Sequence, residues 1–103
     1  MSSRFVTLLA RRARHVWPPK DAAATLDFGL DWSAHLIEAD AIEASTFELP
    51  RGLVAVRASH GARVATVWIS GGSAGEAYEV VNHVKTSRGL KLDQAVKLKI
   101  KSK

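Results

Sequence analysis

The chain has no cysteine, one methionine, one tyrosine and three prolines among its 103 residues. Without cysteine there is no disulfide framework and no thiolate metal site. That fits a reducing compartment, and it also fits cysteine-free exported domains. No apolar run approaches the ~18 residues of a membrane-spanning helix. The run from Phe5 to Ala10 is too short for a signal-peptide core, and no clear cleavage site follows it. None of the four histidines, His15, His35, His60 and His83, stands in an H-x-x-x-H metal spacing. Asp27 and Asp31 are ~13 Å apart if extended, too far for a glycosidase carboxyl pair. The glycine-rich stretch Ser70–Gly75 lacks the lysine and the following helix of a phosphate loop. Neither an enzyme nor a cofactor or metal site is expected.

What is present suits one globular domain. The hydrophobic share is 47%, ordinary for a soluble fold. Charge is segregated. Residues 1–20 carry five cations and no acid. Residues 21–60 carry seven acids against two arginines, and residues 61–103 carry eight cations against three acids. This pattern suits packing between unlike neighbours. Nucleic-acid binding is not expected, because no aromatic-interleaved RNA-binding signature accompanies the basic ends.

Taken in order, residues 1–16 can form an amphipathic helix or a basic arm that orders against a partner, carrying Arg4, Arg11, Arg12 and Arg14. Pro18 and Pro19 end any helix at or before Trp17. Trp17 then either packs back on the domain or anchors in a partner's pocket. We therefore place an arm and linker at 1–20 and the folded domain at 21–103. Leu26, Phe28, Leu30 and Trp32 alternate with Asp27, Gly29 and Asp31, a half-buried strand with the first four in the core. Residues 41–49 and 53–59 read as further strands, separated by the Pro50-Arg51-Gly52 turn. Residues 91–101 give the last, with Leu92, Val96, Leu98 and Ile100 inward and lysines outward.

The stretch Val64–Val84 sets the fold. Val64–Ile69 is apolar on both parities and reads as a central strand, with Trp68 buried. Gly71, Gly72 and Gly75 make a turn. Tyr78 follows two residues ahead of Val80, the spacing of a tyrosine corner in immunoglobulin-like sandwiches. Short strands with turns every 8–12 residues point to an all-β, immunoglobulin-like β-sandwich of about seven strands, preceded by the extended basic arm.

Several segments together carry a resemblance: Trp17-Pro18-Pro19-Lys20-Asp21, Leu26-Asp27-Phe28 with Asp31-Trp32-Ser33, Ser45-Thr46-Phe47, and Pro50 with Gly52-Leu53. To these add Val67-Trp68-Ile69-Ser70-Gly71-Gly72 with Gly75 and Tyr78, Asn82, Thr86 with Gly89, and Val96–Ile100. In these the chain resembles the fibre–tail adaptor proteins of short-tailed phages over about residues 17–101. Phe47 departs from the tryptophan usual there, and residues 1–16 lie outside the resemblance. The resemblance implies a non-enzymatic virion protein, made in the bacterial cytoplasm and placed on the tail or neck in several copies. It implies tail tube, portal or adaptor ring, and tail fibre as neighbours, with no membrane. In that role Arg4, Arg11, Arg12, Arg14, Trp17, Pro18 and Pro19 are expected to reach one neighbour, while loops or an edge strand meet another. Gly71, Gly72, Gly75 and Tyr78 form the structural corner. Two other readings are a head–tail joining or capsid-decorating protein, and a carbohydrate-binding sandwich, which needs exposed aromatics grouped on one face.

Overall fold

A computed structural model describes residues 4–8 and 15–102. Among these the chain is all-β, with one 3₁₀ turn at Ser33–His35. The strands are β1 (Phe5–Thr7), β2 (Leu26–Asp31), β3 (Ile42–Glu48), β4 (Leu53–His60), β5 (Val64–Gly71), β6 (Ala77–Thr86) and β7 (Lys91–Lys99). They form two sheets, ordered β1-β2-β5-β4 and β3-β6-β7. Lettered A to G in chain order, these are the A-B-E-D and C-F-G sheets of a constant-type immunoglobulin sandwich.

One pairing departs from that scheme. β1 runs parallel to β2, from Phe5 opposite Gly29 to Thr7 opposite Asp31. The chain then returns to the second sheet, where Val16 and Lys20 make parallel bridges to Lys97 and Ile100 on the far side of β7. The N-terminal segment therefore closes one edge of each sheet. This corrects one expectation: residues 5–7 are extended rather than helical.

Alternation decides which side chains meet. Phe28 and Leu30 from β2, with Trp32 just beyond it, lie beside Ala65, Val67 and Ile69 of β5 on one inner surface. Val80, Val84, Val96 and Leu98 form the other. Leu26 sits at the margin of this core, half-buried. Burying each large aliphatic or aromatic side chain contributes ~1.5–3 kcal/mol. Two indoles cross between the layers. Trp17, on the edge of the second sheet, donates from Nε1 to the Gly29 carbonyl of β2 at 3.1 Å. Trp32, at the end of β2, donates to Asn82 of β6 at 2.9 Å.

Trp68 differs from its expected burial. β5 is central, between β2 and β4, as its apolar pattern indicates. Its inward residues are Ala65, Val67 and Ile69, which turns Trp68 to the outer face, where no further layer covers it and it stays half-buried. The apolar pattern on both parities did not reveal which parity faces the core.

Candidate functional site

The strap formed by residues 15–20 carries three of the residues expected to meet a partner, Trp17, Pro18 and Pro19. Its hydrogen bonds to the last strand are regular where chemistry permits. Lys97 N–H donates to His15 O at 2.9 Å, Trp17 N–H to Lys97 O at 3.0 Å, Lys20 N–H to Lys99 O at 3.0 Å, and Lys101 N–H to Lys20 O at 2.8 Å. Pro18 and Pro19 have no N–H to offer, so the pairing skips them and no continuous strand forms.

Trp17 is 1% exposed, with its ring centroid 5.0 Å from that of Phe28. It packs back on its own domain, so its ring is not a surface anchor. Lys20 is fully buried, an unusual place for an ammonium. Its Nζ donates to the carbonyls of Asp21 and Ala24, both at 2.7 Å, and to that of Ala22 at 3.5 Å. Burial lowers its pKa, and the neighbouring Asp21 carboxylate works in the opposite direction. The carbonyls supply the partners that a buried cation requires.

The other expected contact residues are distributed differently. Pro18 is half-buried; Pro19 and Val16 are exposed and form the outer surface of the strap. Arg4 is engaged within the chain: its Nη2 lies 3.0 Å from Asp27 Oδ1, and its Nε donates to the Asp27 carbonyl at 2.9 Å. Arg11, Arg12 and Arg14 lie outside the described residues.

At the end of β5 the chain turns at Gly71, Gly72 and Gly75, all with positive φ. Gly72 is also sterically constrained. Its φ is 99°, and a Cβ there would come within 2.6 Å of Ile100. Its N–H reaches Gly52 O at 2.8 Å, which joins this turn to the one before β4. Tyr78 Oη accepts from Ser73 N–H at 2.9 Å, five residues upstream, and Val80 is buried two residues on. This is the geometry of a tyrosine corner at the start of strand F.

The two outer faces carry polar networks. On the first sheet, Asp27, Trp68 and Arg57 lie side by side across β2, β5 and β4. With Arg4 bound to Asp27, and the Arg57 guanidinium 4.9 Å from the Trp68 ring centroid, they form a row of cation, anion, aromatic and cation. Asp31 accepts from both the N–H and the hydroxyl of Ser33, at 2.9 and 2.6 Å. Both aspartates thus have local structural partners. On the second sheet, His83 Nε2 lies 3.0 Å from Glu48 Oε1, and its Nδ1 is 3.9 Å from Asp93 Oδ2. Such exposed pairs contribute ~0–1 kcal/mol each.

A buried carboxylate that the sequence reading passed over organises the end of the sandwich near Trp32. Asp40 is 3% exposed. Its Oδ1 accepts from Ser87 Oγ at 2.8 Å, Ala41 N–H at 2.9 Å and Arg88 N–H at 3.1 Å. Burial alone would raise its pKa, but these hydrogen bonds outweigh it and hold the carboxyl below the usual range. The sequence offers only a turn-forming aspartate at Asp40, without its distant partners.

No curated protein matches the chain. A family described as podophage GP4 fiber-tail adaptor protein gp77 matches residues 20–99, which begin at the buried Lys20 and span β2 to β7. With so much of the sandwich inside that match, the chain belongs to the podophage GP4 fiber-tail adaptor protein gp77 family.

Proposed function

We propose that this protein is a non-enzymatic virion component that docks tail fibres onto the phage tail or neck through protein–protein contacts, in several copies. Family membership carries the reading. The fold supports it: the N-terminal segment is bonded to an edge of each sheet, so the sandwich serves as a stiff spacer between neighbours. The exposed strap surface at Val16 and Pro19, with the basic residues Arg11, Arg12 and Arg14 before it, meets one neighbour. Trp17 acts indirectly, by fixing the strap to the core.

Cross-linking mass spectrometry on purified virions tests this. Links from residues 1–20 to a tail or portal protein, with links from elsewhere on the chain to a fibre, are expected. Absence of the protein from virions would overturn the reading. A head–tail joining role would instead give links to portal and capsid with none to a fibre.

A further inference from the structure

Four strands border the two sheets, and they are not finished alike. The far side of β7 is covered by the strap, and β1 is only three residues long. β3 carries Glu43 and Glu48 and a bulge near its start. β4 is eight residues long and pairs only with β5. It also overhangs the second sheet. Leu53 is its one buried residue, and the seven that follow are exposed on whichever face they lie. Val54 and Val56 are 56% and 60% exposed, among the most exposed large apolar residues in the described chain.

Natural edge strands are blunted with charged side chains, above all lysine, with proline, inward charges or bulges. β4 has no lysine and no proline, and Arg57 is its one permanently charged residue. Its one irregularity is a bulge between Ala55 and Arg57, which leaves Arg57 to Ser59 regularly paired with Trp68 to Thr66. Along the chain, the charge around β4 has one sign, although β3 beside it carries Glu43 and Glu48. From Leu49 to Gly75 there is no aspartate or glutamate, while Arg51, Arg57 and Arg63 lie within that span. Arg57 is already held over Trp68 beside the free edge.

We propose that the free edge of β4 takes an extended, acidic segment of another protein as an added strand. Backbone hydrogen bonds along the edge would give affinity, Val54 and Val56 would pack against its apolar side chains, and the arginines would select its carboxylates. A second copy of this chain fits poorly, because pairing β4 with itself brings only cations together in any register. The site names one partner surface for the adaptor role proposed above and rests on that reading.

Hydrogen–deuterium exchange of the full chain tests it with two synthetic peptides, an eight-residue alternation of valine and glutamate and the same alternation of valine and lysine. Protection of residues 53–60 by the acidic peptide alone is expected, weakening as salt is raised. Arg57→Glu should lower its affinity by roughly tenfold or more at low salt. Val56→Lys should remove binding while leaving the unfolding midpoint near that of the parent, since the side chain lies in solvent. Protection by neither peptide, or equally by both, would overturn the proposal. So would concentration-dependent self-association that Val56→Lys abolishes. Virion cross-links with β4 unprotected would remove this site and leave the adaptor role. Protection without virion cross-links would remove that role and leave the site.

Discussion

The indole N–H of Trp32 donates to Asn82 Oδ1 across the interior, from the first sheet to the second, at 2.9 Å. Immunoglobulin domains with a disulfide join the same two strands, B and F, covalently. Here the Asn82 amide does so without sulfur, and it also donates to Ser45 Oγ and Thr46 O, both at 3.0 Å. Asn82→Leu leaves the Trp32 N–H unpaired in the interior and removes the amide donor to Ser45 and Thr46. We expect ~2–4 kcal/mol lower unfolding free energy by denaturant titration. A change under ~0.5 kcal/mol, the size of an ordinary surface substitution, would contradict the role of this link.

Lys20 is the second buried polar anchor. Lys20→Met keeps most of the methylene packing but leaves the carbonyls of Asp21 and Ala24 without their charged donor. A loss of ~1–3 kcal/mol is expected. Trp17→Ala should cost more, ~3–5 kcal/mol, because it leaves a cavity beside Phe28 and also removes the indole bond to the Gly29 carbonyl. Thermal unfolding of the two variants side by side checks the order.

Acid should loosen one end of the sandwich before the rest. The folded Asp40 pKa lies below its unfolded value, so its contribution is fully present above the ordinary aspartate range near ~4. It is lost as pH falls through the lower, folded value. Unfolding midpoints followed from pH 6 down to pH 2.5 should drop less steeply in Asp40→Asn than in the parent. Equal slopes would assign the acid sensitivity to other carboxylates.

Of the three tryptophans, Trp17 and Trp32 are closed to solvent and Trp68 alone is partly open. Acrylamide should therefore quench one fraction of the fluorescence, and Trp68→Phe should remove that fraction. Its persistence would mean that the strap releases Trp17 in solution. With the Arg57 guanidinium over its ring, Trp68 has one face already occupied, which weighs against a sugar-stacking platform.

Where period and burial coincide, the sequence is transparent. Leu26 to Trp32, Tyr78 to Thr86 and Leu92 to Ile100 each alternate cleanly, and their inward sets form most of the core. The spacing of Gly75, Tyr78 and Val80 is local, so the corner can be recognised from residues close in the chain. Other features depend on contacts distant in sequence. β1 is three residues long and is held by β2, about two dozen positions on; its own pattern reads equally well as a helix. Lys20 looks like part of a solvated basic arm until the fold bends Asp21–Ala24 around its ammonium. The exposure of β4 is equally hidden, since Val54 and Val56 are the residues of a buried strand and only the offset between sheets leaves them in water.

The direction of the strap has a mechanical consequence. Residues 15–20 run parallel to β7, and their four backbone hydrogen bonds connect the start of the fold to its last strand. A pull that separates the two ends of the chain drags these parallel segments past each other lengthwise. The four bonds then bear the load together, in shear, rather than opening one at a time as in a peeled hairpin. Trp17 and Lys20, seated in the interior, act as pegs against the same sliding motion. The sandwich therefore resists a lengthwise pull on its two ends better than a force that peels the strap away sideways.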